Sequence, residues 1–236
     1  NFRKSLVFEL NSWIKNLISV ELKDLIGLIK LKNKNQYLRA LAFRLYENNG
    51  VLKRNEVKEI VSSISKEDRR QLRELGIKIG RYHIFLPRML KPKAVNLRIS
   101  LWKFYNNILN NHLIPKSGLN FLVDDSFKFN AKFLLLCGFE KFKNFYVRVD
   151  ILEKLFLKII ENTEKNDFKI NAEMMNLLGS SKENFYKLLN LMNYRKKDKD
   201  IFYYTGDSQK RRKNQFLGKI RKKDNPFQKL TELNIK

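Results

Sequence analysis

Three closely spaced arginines are the residues of this chain whose type and spacing best fit a chemical role. Arg69, Arg70 and Arg73 lie on the exposed side of a predicted helix, and Leu72 and Leu75 lie on its other side. A guanidinium group carries a permanent positive charge and a planar set of N–H donors that fits the oxygens of phosphate. The chemistry predicted from this spacing is therefore binding of phosphate groups by a helix face, not bond making.

Basic residues extend well beyond this cluster. The candidate nucleic-acid contacts are Arg69, Arg70, Arg73, Arg81, Arg88, Lys91, Lys93, Arg98, Lys182, Lys187, Arg195, Lys196, Lys197, Arg211 and Arg212. The formal net charge of +25 over 236 residues predicts binding to a polyanion through release of counterions. Nucleic acid is the leading partner, because the longest apolar run, Phe133 to Cys137, is too short to span a membrane. Two alternatives stay open: solvated faces that pair with acids such as Glu67 and Asp68, and lysine enrichment caused by genome base composition.

Side chains that could make or break bonds are scarce. The chain has no glycine-rich loop ending in Lys-Ser or Lys-Thr, which an ATPase site of the phosphate-loop type needs. His83 and His112 lack a second metal-type ligand at useful spacing, and His83 is interpreted as a surface or packing residue. Asp124-Asp125 is interpreted as a helix cap, and Cys137 as a small core residue in a reducing compartment. We therefore predict no catalytic residue, no metal site and no cofactor in this chain.

The elements that must position the basic residues first occur between residues 36 and 90. Leu38 to Leu45 have helical spacing, Val51-Leu52 favours a short strand, and Asn55 is predicted to cap a second helix. Ser65 indicates the start of the helix that carries the arginines, and alternation from Ile77 to Leu86 predicts a hairpin. Helix, strand, helix, helix and hairpin is the order of a winged helix-turn-helix.

A second segment with the same order spans residues 151 to 205. Asp150 is predicted to cap its first helix, and Phe168 to Ile170 favour a short strand. Asn171 is predicted to cap a brief helix, and Ser180 the helix after it. A charged loop then precedes a strand at Ile201 to Tyr204, as in a wing. We therefore predict a second winged-helix-like unit.

The remaining segments flank or connect these two units. Residues 1 to 35 are predicted to form docking helices, interrupted near Gly27. Residues 91 to 150 are predicted to form a connecting helix and a helix-hairpin unit, whose aromatic side chains could stack on bases but are better interpreted as core. Residues 206 to 236 are basic and poor in apolar residues, which predicts a flexible tail. The predicted fold class is mainly α with small β-hairpins, with two winged-helix-like units joined by helices.

One stretch of this architecture also resembles a known family. Residues 72 to 102, LRELGIKIGRYHIFLPRMLKPKAVNLRISLW, are similar to the C-terminal region of bacterial DExH-box helicases related to the RNA helicase of the mitochondrial degradosome. Residues 138 to 155, 177 to 195 and 225 to 230 resemble later blocks of that region. The resemblance implies an upstream pair of RecA-like lobes that use ATP and Mg to unwind duplexes. None of their nucleotide-binding motifs is in this sequence, so no catalytic residue is carried over, and with Asn1 as its first residue the chain is expected to be a fragment.

Together with the charge, the resemblance implies an accessory nucleic-acid-binding region of an ATP-dependent helicase that acts on RNA in processing or decay. The expected partners are RNA or another nucleic acid, the helicase core of the same polypeptide and an exoribonuclease, with no membrane. Two alternatives stay open: a protein-docking scaffold of the helicase or of an RNA-degrading complex, and a free-standing winged-helix DNA-binding regulator. The bacterial cytoplasm is the expected location in preference to the mitochondrial matrix, since Glu9, Glu21 and Asp24 disfavour a transit peptide.

Overall fold

The computed structural model describes residues 2–29, 35–108, 115, 118–123 and 131–206. Within these ranges the chain is mainly helical with three small antiparallel sheets, which confirms the predicted mainly α class with small β elements. The predicted tail with Arg211 and Arg212 lies outside the described residues, as do His112 and Asp124-Asp125. None of the helices described in these ranges combines the length and the apolar character that crossing a membrane requires.

The first unit places helices against a three-stranded sheet. Its elements are α1 (Phe2–Glu21), α2 (Lys23–Ile29), α3 (Gln36–Glu47), β1 (Val51–Lys53), a 3-10 turn (Arg54–Val57), α4 (Lys58–Ser63), α5 (Lys66–Glu74), β2 (Lys78–Ile79) and β3 (His83–Phe85). The strands lie in the order β1-β3-β2, with Ile84 opposite both Leu52 and Ile79. The hairpin is shorter than predicted, because the N–H groups of Ile77 and Leu86 donate to carbonyl groups outside it.

Local capping residues determine where several of these helices begin. Ser65 begins α5 as predicted, because its Oγ accepts a hydrogen bond from Asp68 N at 3.1 Å. Asn35 caps α3, because its Oδ1 accepts a hydrogen bond from Tyr37 N at 2.9 Å. The prediction for Asn55 is wrong, since this residue lies inside the 3-10 turn. Helix α1 is followed by α2 with only Leu22 between them. The break predicted near Gly27 is not present, because Gly27 lies within α2.

A leucine-rich core holds this unit together. Leu25 and Leu28 of α2 are buried in it with the inner faces of α3, α4 and α5. The core residues that are at most 1% exposed are Leu38, Leu41, Ala42, Leu45, Leu52, Leu72, Ile77, Ile84, Leu86, Met89 and Ala94. Helix α1 is different, because none of its 20 residues is buried, and Phe2, Phe8 and Trp13 are all more than half exposed. Most of its apolar residues therefore form an open surface of the described chain, while Ile18 packs against this core.

The middle segment joins the two units through a helix and a second sheet. Its elements are a 3-10 turn (Pro87–Leu90), α6 (Pro92–Tyr105), β4 (Phe121–Val123), α7 (Ala131–Leu136), β5 (Phe139–Phe142) and β6 (Phe145–Arg148). The strands lie in the order β4-β6-β5. Phe139, Phe145 and Tyr146 are at most 4% exposed, which confirms that these aromatic side chains belong to the core.

The second unit has a similar order of helices and strands to the first, with one additional strand. Its elements are α8 (Val149–Glu161), β7 (Thr163–Glu164), β8 (Asp167–Lys169), α9 (Ala172–Leu178), α10 (Lys182–Leu191), β9 (Tyr194–Asp198) and β10 (Ile201–Tyr204). The sheet has the order β7-β8-β10-β9, in which β7 is the additional strand. Asn171 caps α9 as predicted, but the cap of α10 is Ser181 and not Ser180. Asp150 is not a cap either, because it lies in the first turn of α8 and forms an ion pair with Arg148 at 2.6 Å.

Candidate nucleic-acid interface

The hairpin loop of the first unit is held by a carboxylate from the second unit. Glu153 on α8 accepts hydrogen bonds from the backbone N–H groups of Arg81, at 2.5 Å, and of Tyr82 and His83, both at 2.8 Å. Gly80 makes this approach possible, because a Cβ atom there would overlap the Glu153 carboxylate. Arg54 supports the loop from its own unit by donating from Nη1 to Gly80 O at 2.8 Å. The loop between β2 and β3 is therefore fixed at the junction of the two units.

His83 lies beneath this loop, between two carboxylates. Its side chain is 2% exposed, with Nε2 at 2.9 Å from Glu140 Oε2 and Nδ1 at 3.5 Å from Glu153 Oε1. Lys53 Nζ lies 2.5 Å from the other oxygen of Glu140. We define Lys53, His83, Glu140 and Glu153 as the junction cluster. Its formal charges balance when His83 is protonated, with two cations facing two carboxylates.

The electrostatics of the junction cluster favour that protonated form. Burial by itself lowers the pKa of His83, but the hydrogen bond between Nε2 and Glu140 and the negative charges of Glu140 and Glu153 outweigh burial, so the pKa is raised above its usual value. Burial likewise raises the pKa of Glu140, and the hydrogen bonds from His83 and Lys53 reverse this effect and lower the pKa. The pKa of Glu153 is lowered in the same manner, by His83 and by the three backbone donors. The interpretation of His83 as a packing residue is confirmed, while its charged partners were not predicted.

A positively charged cleft opens beside this junction. Its cations, which we call the cationic cleft, are Arg54, Arg73, Lys78, Arg81 and Lys154. The cleft has a volume of about 540 Å³ and an apolar floor that includes Phe85 and Leu157. The two carboxylates on its wall are already engaged, Glu153 by backbone donors and Asp150 by Arg148. The arrangement is therefore suited to an anion, because the cations outnumber the carboxylates and most are exposed.

A larger cleft lined by aromatic rings adjoins the cationic cleft. We call Tyr82, Phe156, Tyr194, Tyr203 and Tyr204 the aromatic cleft, which has a volume of about 870 Å³. The Tyr82 and Phe156 rings meet edge to face with centroids 5.4 Å apart, and those of Tyr194 and Tyr204 lie 5.2 Å apart. Burial raises the pKa of the Tyr82 and Tyr194 phenols, so both stay protonated at neutral pH, and the two phenols form a hydrogen bond with each other. The aromatic cleft thus offers flat apolar faces with polar edges.

The three arginines of α5 have different surroundings. Arg69 is half-buried and donates to Val61 O at 3.2 Å, so its guanidinium partly supports the preceding helix. Arg70 is exposed and lies 3.3 Å from Glu74 one turn later. Arg73 is exposed and lines the cationic cleft. The structure therefore places one of the three predicted residues directly in the cleft, together with Arg81.

The other predicted cations of the first unit and of α6 are mostly on the surface. Arg88 is exposed and lies 3.2 Å from Asp24. Lys91 and Lys93 are exposed at the start of α6, where the positive end of the helix dipole does not neutralise them. None of these three residues lines the cationic cleft. They remain predicted contacts outside that cleft.

The prediction of Arg98 as a surface contact is wrong. Arg98 is 2% exposed, and its guanidinium donates to the carbonyl groups of Asn49 and Met89, while Nε donates to Ala94 O at 3.4 Å. Burial lowers its pKa to about 10, which still leaves the side chain charged at neutral pH. Arg98 therefore connects α6 to the end of α3 and to the 3-10 turn before α6, and it cannot reach a phosphate.

The predicted cations of the second unit largely have partners. Lys182 lies 2.8 Å from Asp200, and Lys187 lies 2.6 Å from Glu183. Lys196 lies over the Tyr186 ring at 5.3 Å, and Lys197 pairs with Asp167. Arg195 is exposed on β9. All these pairs are at the surface, where ion pairs contribute little and can exchange for another anion.

Sequence reasoning missed most of the residues that line the two clefts. Arg54, Lys78 and Lys154 have no local signal that separates them from the other basic residues of a chain this cationic. Tyr82 and Phe156 were predicted as ordinary positions of a hairpin and a helix, yet they meet across the junction from positions 74 residues apart. The one available signal is the density of tyrosine at the end of the second hairpin, where Tyr203 and Tyr204 are adjacent.

Comparisons with known proteins do not identify the chain. No protein-family model, no curated protein and no solved structure matches it. Among the described residues, there is also no group of three or more His, Cys, Asp and Glu side chains that could hold a metal ion. The geometry of the two clefts and the charge of the chain are therefore the features that bear on its function.

Proposed function

We propose that this chain is the C-terminal accessory nucleic-acid-binding region of an ATP-dependent DExH-box helicase that acts on RNA in processing or decay. The observation that carries the proposal is the cationic cleft at the junction, where Arg73 and Arg81 from separate elements converge with Lys78 and Lys154. Such a cluster binds the phosphate backbone without reading sequence. ATP and Mg belong, in this proposal, to helicase lobes outside this chain.

Within this proposal both units are winged-helix modules. Each runs helix, strand, helix, helix and hairpin, and in each the strand before the second helix pairs with the last strand of the hairpin. Winged helices serve nucleic-acid binding, protein docking and structural roles, so the fold alone does not decide the partner. The charge does favour nucleic acid, because the chain carries 49 Lys and Arg against 24 Asp and Glu.

Helix α1 supports a second role, as a docking element. Phe2 is 83% exposed, Phe8 75% and Trp13 61%, and an apolar surface of this kind on a charged protein marks an interaction site. The helicase core of the same polypeptide is the partner that fits the proposed function, and an exoribonuclease is the alternative. In this role α1 would anchor the region while the clefts hold the strand.

The salt dependence of RNA affinity tests the proposed function. In the full chain, Arg73→Glu/Lys78→Glu reverses two exposed charges of the cationic cleft, and Lys15→Glu on α1 is the control for a charge reversal elsewhere. The affinity for a short single-stranded RNA is measured by fluorescence anisotropy at several salt concentrations. The slope of log affinity against log salt is negative, and each lost phosphate contact makes it less steep by about 0.7 on a single strand, so the slope of the double variant should be less steep by about 1.4.

The outcome separates the binding region from its alternatives. Unchanged slope and affinity in the cleft variant, with loss of binding to the helicase core or to an exoribonuclease, would favour the docking scaffold. A tight, sequence-specific DNA duplex site would instead favour the free-standing regulator. Failure of the unaltered chain to bind RNA at low salt would contradict the proposal as a whole.

A further inference from the structure

We infer that the aromatic cleft binds the unpaired bases of a single-stranded nucleic acid whose phosphates lie along the cationic cleft. This inference rests on the proposed function and names the form of nucleic acid that the region takes. It assigns a binding role to Phe156, Tyr203 and Tyr204, which are outside the predicted basic contacts. The supporting observations are the exposure of Tyr203 and Tyr204, the continuity of the two clefts and the polar groups at their edges.

The Tyr203 and Tyr204 rings are not buried in the hydrophobic core. Phe202 on β10 is 0% exposed and packs against Phe168, so the core accounts for it completely. Tyr203 and Tyr204 follow it directly and are 37% and 43% exposed. Tyr194 is buried against Phe168 edge to face, with centroids 5.3 Å apart, and gives the cleft a rigid wall. A wall of fixed rings with exposed neighbours is the arrangement on which bases stack, because every base has a flat π face.

The aromatic and cationic clefts are continuous. Arg81 and Phe156 line both of them, and the Arg81 guanidinium lies over the Phe156 ring at 5.5 Å from its centroid. The backbone of Arg81 is held in place by Glu153, so the guanidinium is presented from a fixed point. A strand that passes Arg81 can therefore place a phosphate on one side and a base on the other.

The far rim of the aromatic cleft supplies polar groups that fit a base edge or a neighbouring phosphate. Lys165 and Asn166 form the tip of the β7–β8 hairpin, both with positive φ, at +48° and +78°. Both residues are exposed, and Asp167 follows them at the start of β8. Pockets that recognise small planar ligands combine such apolar faces with a few polar groups.

This chemistry selects single strands over duplexes. In a duplex the bases are stacked on one another and paired, so their faces cannot reach a tyrosine ring. Phosphates, in contrast, are equally available in both forms. The cationic cleft alone would therefore bind single strands and duplexes alike. The adjoining aromatic cleft favours single strands, because only their bases are free to stack on its rings.

An abasic strand tests the inference directly on the unaltered chain. The affinity of the full chain is compared for a short oligoadenylate and for a sugar-phosphate strand of equal length without bases, at one salt concentration. Stacking of one base on an aromatic side chain corresponds to roughly 10-fold in affinity, so the abasic strand should bind at least about 10-fold more weakly. A duplex of the same length should also bind more weakly than the oligoadenylate.

A variant locates the effect in the aromatic cleft. Tyr203→Ser/Tyr204→Ser removes the two exposed rings of β10, and Tyr105→Ser is the matched control, since Tyr105 is 85% exposed on α6 and lines no part of this cleft. The fluorescence of 2-aminopurine in the strand should be quenched on binding to the unaltered chain and to the control. In the double variant most of the quenching should be lost, while the salt slope stays unchanged.

Each result has one consequence. Equal affinity for the abasic strand and the oligoadenylate would overturn the inference and leave the proposed function intact. Quenching that persists in the double variant would also overturn it, because the bases would then stack elsewhere. If neither strand binds at low salt, the proposed function fails and the inference fails with it. Binding of an aromatic peptide in place of any strand would assign the cleft to a protein partner and reject the inference.

Discussion

Replacing Glu153 by glutamine removes one negative charge from the junction cluster and keeps the size of the side chain. In the native structure Oε1 accepts from the N–H groups of Tyr82 and His83 and faces His83 Nδ1 at 3.5 Å, while Oε2 accepts from the N–H of Arg81. Glutamine has one carbonyl oxygen and one NH2 group. If the oxygen takes the place of Oε1, the NH2 group faces the Arg81 N–H, and two donors oppose each other.

The expected loss of stability follows from these contacts. A buried donor left without an acceptor costs about 1–3 kcal/mol, and removing one member of a buried ion pair costs about 3–5 kcal/mol. The two costs overlap, because the same carboxylate supplies the hydrogen bonds and the charge. Glu140 also remains as a counter-ion for His83. We therefore expect Glu153→Gln to lower the free energy of unfolding by about 3 kcal/mol.

Urea denaturation of the full chain measures this loss, with Glu161→Gln as the control. Glu161 lies on the same helix, but its carboxylate is exposed beside Lys158, so its replacement should leave the urea midpoint unchanged. Hydrogen exchange provides the local readout, since the amide of Arg81 should exchange faster in Glu153→Gln. Equal urea midpoints for the two variants, with unaltered exchange at Arg81, would refute the role assigned to this carboxylate.

Two further predictions concern the same junction. The pKa of His83 is raised in the folded state, so protonated His83 stabilises the fold. This stabilisation is complete below about pH 6.5, the ordinary pKa of histidine in an unfolded chain, and is lost as the pH rises through the folded-state pKa. Urea midpoints measured from pH 6 upward should therefore decline in the native chain and show a smaller decline in His83→Gln; parallel pH profiles would contradict this. Gly80→Ala should lower the free energy of unfolding by roughly 1–3 kcal/mol, because the added Cβ overlaps Glu153. Gly27→Ala is the control, because Gly27 lies in a helix and nothing lies within 4 Å of the added Cβ. This variant should raise the free energy of unfolding by about 0.5–1 kcal/mol. A loss of stability in both variants would point to a cause other than the junction.

Features that depend on neighbours in sequence were predicted in part, since the caps expected at Asn55 and Asp150 do not form. Ser65 and Asn171 cap their helices as expected, because a cap needs only a short polar side chain and an N–H group two or three residues later. Ser180 failed by one position for a related reason. Two adjacent serines precede α10, and Ser181 is the one whose hydroxyl accepts from Asn184 N, at 3.3 Å. Sequence alone does not distinguish two equivalent caps in a row.

Features that depend on distant contacts were not predictable. Arg98 has the spacing of an ordinary surface residue on α6, and only the folded chain shows the carbonyl groups of Asn49 and Met89 that enclose it. His83 contacts carboxylates that lie 57 and 70 residues further along the chain. The chain has 49 Lys and Arg residues, and those of the cationic cleft have the same local sequence pattern as the others. The sequence therefore does not show which of them converge in the cleft.

The geometry of the junction links stability to the two clefts. The backbone of Arg81 is bound by Glu153, and its side chain points into the space that joins the cationic and aromatic clefts. A loop with a free backbone would lose conformational entropy each time its arginine ordered on a ligand. Here that entropy is lost on folding, because the buried carboxylate already orders the loop. Under the proposed function, the carboxylate serves binding by ordering the loop that carries Arg81, and this gives a reason for a buried acid in a chain with a net charge of +25.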